Sequence, residues 1–232
     1  MPDKYLYLVI NILTILLPLA WSFEKRVSYY KSWRYLFPAM LVTAAIFIVW
    51  DVWFTDMGVW GFNPRYLTGI TIANLPLEEV MFFFCIPFSS VFIYEVVGYY
   101  KLNFISTKAA RFITIAIVIM LLVVAYNNLY YCYTTYTFIA LALYLLLLLV
   151  LKVPYLGKFI TAYLIILIPF FIVNGILTGS GIDGEIVWYD DSENLSFRIL
   201  TIPIEDTFYG MLLIVMNVSG MEWLKKRAKV IK

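Results

Sequence analysis

Seven apolar runs, each long enough to cross a lipid bilayer, are the feature that most constrains this chain. The hydrocarbon core of a membrane is about 30 Å thick and requires about 20 mostly apolar residues per helix. Hydrophobic residues make up 63% of the 232 residues and charged residues only 14%, unlike the balance of a soluble domain. The predicted spans are Tyr5–Trp21, Leu36–Phe54, Pro76–Gly98, Ala109–Tyr126, Tyr131–Leu151, Phe159–Thr178 and Ile202–Gly220. We therefore predict an all-α integral membrane protein with seven transmembrane helices.

The basic residues predict how these helices are oriented. Fourteen of the 17 Lys and Arg residues lie in or beside the loops after the first, third and fifth span and in the C-terminal tail, whereas Lys4, Arg65 and Arg198 lie on the other side. Because basic residues collect on the cytoplasmic side of membrane proteins, the N-terminus is predicted outside and the C-terminus in the cytoplasm. A multi-pass protein of the cell membrane, surrounded by membrane lipid, is expected. The net charge of +2 provides no basic face for nucleic acid.

Comparison of the chain with itself indicates an internal repeat. Residues 50–55 resemble residues 173–178 at a separation of 123, residues 58–60 resemble residues 186–188 at 128, and residues 75–83 resemble residues 202–210 at 127. Helices 1–3 are therefore predicted to recur as helices 5–7, with helix 4 as the connector. Four helices separate each element from its copy, so the two repeats run parallel, related by an axis along the membrane normal. The corresponding units are residues 1–100, 101–130 and 131–232.

Each repeat carries a pair of acidic residues just inside the predicted membrane. These are Glu78 and Glu79 in the first repeat and Glu205 and Asp206 in the second. Carboxylates within a membrane are costly and indicate function, although acids that follow a proline are also typical of an ordinary helix N-terminus. Neighbouring helical residues point about 100° apart. One member of each pair can therefore face a shared cavity while the other binds backbone or a neighbouring helix.

Further polar and aromatic residues are predicted at the level of the acidic pairs. Asp51 and Asn174 occupy matching positions near the ends of helices 2 and 6, from which they can orient or hydrogen-bond the acids. Aromatic rings at this level can stabilise a cation through their faces. The candidates are Trp50, Trp53, Trp60, Phe82, Trp188, Phe208 and Tyr209.

Several kinds of site are disfavoured by the residues that the chain contains. The sequence has no histidine, and its two cysteines fall in apolar runs, so no metal site is predicted. The segment Gly179–Gly184 fits the dinucleotide motif G-x-G-x-x-G literally, but it joins two membrane helices instead of a strand and a helix. The segment Tyr189–Glu193 resembles an Asp-rich site for Mg²⁺ and diphosphate, but it occurs once in a polar loop, where a solvated acidic loop is the alternative.

The combined motifs resemble those of the flavin-independent lycopene cyclases. The residues concerned are Trp50-Asp51-x3-Thr55-x2-Gly58-Val59-Trp60-x-Phe62-Asn63-Pro64, then Leu75-Pro76-Leu77-Glu78-Glu79 and Phe82-Phe83-Phe84. Subunits of that family are small three-helix proteins that work as heterodimers or as tandem fusions. This chain resembles the fused form, with Val173–Gly179 and Pro203–Asp206 in its second unit.

This resemblance implies proton-initiated cyclisation of the ψ-end groups of lycopene to β-rings, giving γ-carotene and β-carotene. The reaction involves no net redox change and so requires no redox cofactor, but it needs an acid, a base, stabilisation of a cation and exclusion of water. Glu78 and Glu205 are the leading acid and base candidates, with Glu79 and Asp206 as partners or alternates. One composite site and two unequal sites both fit the sequence, as do a homo-oligomer and contacts with other carotenoid enzymes.

Two alternative functions are carried forward. A membrane prenyltransferase-like enzyme would need two Asp-rich Mg²⁺ sites, of which the sequence offers one poor candidate. A non-enzymatic carotenoid-binding protein would leave the acidic residues as helix caps.

Overall fold

Seven α-helices make up most of the computed structural model, which describes residues 3–102 and 104–230. Their bounds are α1 Leu6–Trp21, α2 Trp33–Met57, α3 Leu77–Tyr99, α4 Thr107–Asn127, α5 Cys132–Val150, α6 Leu156–Leu177 and α7 Ile204–Val230. Six of them, α1 to α6, are long and apolar enough to cross a membrane. The protein is therefore a membrane protein, and its orientation in the bilayer stays a prediction from the basic residues.

The last helix differs most from its predicted span. We expected Ile202–Gly220, whereas α7 begins at Ile204 and continues to Val230, because Ile202 and Pro203 belong to a strand. Its first half carries two acidic residues, which lower its mean hydropathy. It is nevertheless the central helix, since it packs against α2, α3, α5 and α6 and buries most of its first 18 residues. Surrounding protein, rather than lipid, accommodates its polar groups.

Within the described residues, six short strands connect the helices at the end of the bundle that carries the acidic pairs. They are β1 Trp60–Phe62, β2 Thr71–Ile72, β3 Leu75–Pro76, β4 Val187–Tyr189, β5 Arg198–Ile199 and β6 Ile202–Pro203. The pairs β2–β3 and β5–β6 are hairpins that lead into α3 and α7, and β1 pairs with β4 across the two halves. Pro76 and Pro203 are thus strand residues, and each helix begins one residue after its proline.

Equivalent hydrogen bonds in the two halves define the repeat. The amide of Asn63 donates to the carbonyl of Ile186 and the amide of Asp190 donates to the carbonyl of Val59, both at 2.9 Å. The two donors, Asn63 and Asp190, are 127 residues apart, and so are the two acceptors, Val59 and Ile186. The two bonds are therefore equivalent under the repeat. The hairpin registers repeat at the same separation, with Thr71 opposite Pro76 and Arg198 opposite Pro203.

The separation of 128 predicted for residues 58–60 is wrong by one residue. In the β1–β4 pair Gly61 lies opposite Trp188, so the local two-fold relation between these strands exchanges Gly61 with Trp188 at a separation of 127. Matching by residue type pairs Trp60 with Trp188 and so shifts the alignment. Phe62 is consequently equivalent to Tyr189, which matters for the site.

The segment Gly179–Gly184 is explained by an insertion. The amide of Val59 binds the carbonyl of Phe54 in the first half, and the amide of Ile186 binds the carbonyl of Leu177 in the second. These equivalent bonds span five and nine residues, so the second connection is four residues longer. Glycines at 179, 181 and 184 adopt positive φ values there, which few other residues tolerate.

A cluster of polar side chains connects the two halves at the end of the bundle that is opposite to the strands. Glu95 of α3 forms ion pairs with Lys225 of α7 at 2.8 Å and with Lys158 of α6 at 3.5 Å. Tyr94 donates a hydrogen bond to Glu222 at 2.9 Å. Because these groups are largely shielded from solvent, the pairs are worth more than exposed salt bridges and help fix α3 against α6 and α7.

Candidate active site

A cavity of about 370 Å³ opens between the two halves, below the strands β1 and β4. Its polar end is lined by Asp51, Glu79, Asn174 and Asp206, and by Tyr7, Tyr133 and Tyr189. The remaining wall is built mostly from apolar residues of α1, α3, α6 and α7 and of the strands β1 and β4. Within the described residues, no Lys or Arg lines this space, so the carboxyl groups face it without a cationic partner.

One member of each acidic pair faces this cavity, and both of these residues accept a hydrogen bond from a tyrosine of an equivalent helix. The hydroxyl of Tyr7 in α1 donates to Glu79 at 2.6 Å, and the hydroxyl of Tyr133 in α5 donates to Asp206 at 2.5 Å. The two tyrosines lie 126 residues apart. Neither tyrosine was predicted as a site residue, and the sequence signal for them is a tyrosine at matching positions of helices 1 and 5.

The other member of each pair points away from the cavity and holds a loop. Glu78 is fully buried and accepts a hydrogen bond from the amide of Thr68 at 2.7 Å. Glu205 is likewise buried and accepts from the amide of Leu195 at 2.8 Å and from Thr134 at 2.6 Å. The ranking of Glu78 and Glu205 as leading acid and base candidates is therefore not supported by the geometry. Their neighbours, one helical step of about 100° away, face the cavity instead.

Asp206 has three hydrogen-bond donors, an arrangement that favours its ionised form. Besides Tyr133, it accepts from the amide of Asn174 at 2.7 Å and from the hydroxyl of Tyr189 at 2.9 Å. Burial and the neighbouring Asp206 carboxylate raise the pKa of Tyr189, so this phenol keeps its proton and remains a donor. Hydrogen bonds directed at a carboxylate stabilise the charged state.

Glu79 has a different environment, although it occupies the equivalent position. Tyr7 is its one hydrogen-bond donor among the described residues, and Asp51 stands where the second half has Asn174. One carboxyl oxygen of Asp51 is buried and has no partner among the described residues. Phe62 replaces Tyr189 and cannot donate. Two carboxyl groups without a cation cannot both ionise at low cost, so this half favours a retained proton.

The predicted aromatic residues divide into two groups. Trp60, Phe82 and Tyr209 line the cavity. The other four lie outside it. Trp50 packs behind Tyr209, and Phe208 packs on Phe138. Trp53 is 44% exposed beside Tyr136, and Trp188 is 41% exposed and covers Gly61. For these four, the geometry gives no support to a role in stabilising a cation within this cavity. Phe62 and Phe170, which the sequence analysis did not select, line the cavity instead.

The apolar part of the cavity reaches the lipid-facing surface between α1 and α6. Leu13 and Leu17 of α1 line it and are 61% and 59% exposed, and Pro169 lines it from α6. Along α3 the lining extends from Glu79 to Ile93, a distance of about 21 Å at 1.5 Å per residue. An elongated apolar molecule can therefore enter from the bilayer and bring one end to the carboxyl groups.

The acidic loop after β4 is occupied by structural contacts. Asp190 accepts hydrogen bonds from Ser192, Asp191 pairs with Arg198 at 2.6 Å, and Glu193 accepts from the amide of Cys132. These side chains do not converge on a common point. The geometry thus gives no support to the diphosphate site required by the prenyltransferase alternative.

Together these features define a membrane protein made of two equivalent three-helix halves around an acidic, apolar-walled cavity. The sequence model described as lycopene cyclase matches residues 4–97 and 130–224, in two repeated segments. The chain belongs to the lycopene cyclase family and is consistent with its fused tandem form. Comparison with curated proteins gave no match, and comparison with solved structures gave none.

Proposed function

We propose that this chain is a lycopene β-cyclase that uses Glu79 as general acid and Asp206 as general base. Family membership supports a lycopene cyclase role in carotenoid biosynthesis. The observation that carries the finer proposal is that these two equivalent carboxyl groups share one cavity but differ in their hydrogen bonds, since Asp206 accepts from Asn174 and Tyr189 in addition to a tyrosine like that of Glu79. A pair of acids with divergent environments is how one site holds both a proton donor and a proton acceptor.

The reaction begins with transfer of the Glu79 proton to C2 of the ψ-end, which leaves a tertiary cation at C1. The C5=C6 double bond then attacks C1, closing a six-membered ring and moving the cation to C5. Asp206 removes the proton at C6, and the electrons of that C–H bond form the ring double bond. One proton is gained and one is lost, so lycopene is isomerised without an external reductant or oxidant.

The surroundings of the two acids suit a cationic intermediate. The rings of Trp60, Phe82 and Tyr209 line the cavity and can stabilise positive charge through their faces. The Asp206 carboxylate adds a favourable electrostatic interaction. The strands β1 and β4 cover the polar end and limit access of water, which would otherwise trap the cation as an alcohol.

Asp51 completes the acid half of this mechanism. Asn174 donates to Asp206 with an amide proton, whereas Asp51 can make the equivalent bond to Glu79 only if one of the two carboxyl groups is protonated. The Asp51–Glu79 pair therefore holds the proton that starts the reaction. Once the product has left, Asp206 releases its proton to water and the Asp51–Glu79 pair takes up a proton from water, which resets the site for the next ring.

Expression in a lycopene-accumulating bacterium tests the proposed activity. We expect the red lycopene to be replaced by yellow-orange γ-carotene and β-carotene, separated and identified by chromatography against β- and ε-ring standards. Unchanged lycopene in cells whose membranes contain the inserted protein would contradict the proposal. Protein that copurifies with lycopene and leaves it unchanged would favour the carotenoid-binding alternative.

A further inference from the structure

We propose that the chain has a single site that takes one ψ-end at a time, and that Gly210 keeps this site open. The inference rests on the proposed function and adds a consequence for its product sequence. It follows from comparing the cavity with the space that is equivalent to it under the repeat. That space lies between α5, α7, α2 and α3, just as the cavity lies between α1, α3, α6 and α7.

Two positions of the open cavity carry small side chains where their equivalents are aromatic. Gly210 of α7 corresponds to Phe83 of α3 at the separation of 127. Val173 of α6 corresponds to Trp50 of α2 at the separation of 123. The latter separation is supported by equivalent bonds, since Asn74 donates to the carbonyl of Val52 and Thr201 donates to the carbonyl of Gly175.

In the open cavity, the absence of a side chain at residue 210 is essential. Gly210 is buried on α7, and a Cβ atom added there would lie 3.3 Å from the ring of Phe170. Both residues line the cavity. A larger side chain would therefore extend into the space that leads from the lipid-facing opening to the carboxyl groups.

In the equivalent space, aromatic rings fill the volume. Phe83 and Phe47 are 1% and 0% exposed, and their ring centroids lie 6.0 Å apart. The ring of Phe47 also lies 5.9 Å from Trp50 and 5.0 Å from Tyr209. Such close aromatic packing leaves no room for a polyene.

The consequence is a fixed order of products. Because both Glu79 and Asp206 face the open cavity, the two halves contribute one acid and one base to one site. After the first ring closes, the monocyclic carotene must leave through the opening between α1 and α6 and present its second end. Free γ-carotene is therefore an obligatory intermediate.

Substitutions at residue 210 test this inference. Gly210→Phe copies Phe83 and should abolish lycopene conversion, and Gly210→Ala, which pushes only on Phe170, should reduce it to an intermediate level. Alanine favours helix more than glycine does, so loss of α7 would not explain the result. Phe83→Leu, a change confined to the filled space, is the control and should keep conversion at the parental level when normalised to inserted protein.

Lycopene binding gives a readout that does not depend on turnover. Purified Glu79→Gln protein, which should bind without converting, is saturated with lycopene in detergent, and the bound pigment is quantified by absorbance. We expect one lycopene per chain, and none once Gly210→Phe is added. Two lycopene molecules per chain, or undiminished binding by the double variant, would overturn the inference.

A time course under excess lycopene completes the test. We expect γ-carotene to accumulate first and β-carotene to follow after a lag, whereas β-carotene formed from the outset without free γ-carotene would contradict a single site. Binding without conversion would defeat the proposed function but leave the single cavity standing. Conversion that is unchanged by Gly210→Phe would contradict the single cavity but support the proposed function. A chain that neither binds nor converts lycopene would contradict both the proposed function and the single cavity.

Discussion

Replacing Glu79 with Gln should lower the rate of ring closure by about 10²–10⁴-fold, the usual effect of removing a general acid. Gln is nearly the same size and can still accept the hydrogen bond from Tyr7, so the cavity should keep its shape. It has no proton of suitable acidity to transfer to C2 of lycopene. The measurement is lycopene consumption per inserted protein, followed by chromatography.

Glu78→Gln is the matched control, since it makes the same change one residue earlier. The amide side chain that this substitution introduces can still accept from the backbone amide of Thr68. We therefore expect near-parental conversion with at most a modest loss of stability, about 1 kcal/mol for a weakened hydrogen bond. If Glu78→Gln abolished conversion and Glu79→Gln preserved it, the assignment of the acid would be reversed. If both variants remained active, neither residue would be the acid.

Asp51→Asn should inactivate the enzyme by at least about 10²-fold, because it gives the first half the amide that the second half has at Asn174. An amide at residue 51 would donate to Glu79 as Asn174 donates to Asp206, and would hold Glu79 as a carboxylate. Both halves would then present a base, and no group would start the reaction. The variant should still bind lycopene, since the apolar part of the cavity is unchanged.

Asp56→Asn provides the control for this prediction. Asp56 lies on the same helix as Asp51 but is exposed, so loss of its charge should leave conversion unchanged. Parental activity in Asp51→Asn would show that the carboxyl group of Asp51 does not hold the proton. A loss of conversion in Asp51→Asn but not in Asp56→Asn would show that the effect belongs to the buried residue 51 and not to the removal of any acid from α2.

Two of the differences between the halves change the hydrogen bonds made to the cavity-facing acids. Asp51 is equivalent to Asn174, 123 residues later in the chain, and Phe62 is equivalent to Tyr189, 127 residues later. Both differences add a hydrogen-bond donor to the second half and withhold one from the first. The tyrosines that hold the acids, by contrast, are the same residue type in both halves. In the proposed mechanism, these exchanged donors make Glu79 the acid and Asp206 the base.

The large-scale features of the fold could be predicted from the sequence because the bilayer fixes them. Helix length follows from membrane thickness, and the repeat is visible in the acidic pairs at a separation of 127. Helix length and the separation of the repeats depend on local sequence and on the thickness of the bilayer. Predicting them does not require knowledge of how the helices pack.

The identity of the cavity-facing acid could not be predicted in the same way. Glu78 and Glu79 differ by one helical step, and the rotation of α3 is set by contacts with other parts of the chain such as Tyr7 and Thr68. The same holds for the aromatic residues, since Trp188 covers Gly61 only because β1 pairs with β4. That contact joins residues more than a hundred positions apart, and residue type alone does not reveal it.

Incorporation of deuterium from heavy water tests the acid–base mechanism most directly. With the protein equilibrated in D₂O before unlabelled lycopene is added, the proton delivered to C2 is replaced by deuterium, while the proton removed from C6 comes from the substrate. The proton-transfer mechanism predicts one deuterium per ring closed, located at C2, so γ-carotene gains one mass unit and β-carotene gains two. Cyclic products that form at the normal rate in D₂O without any deuterium would contradict it.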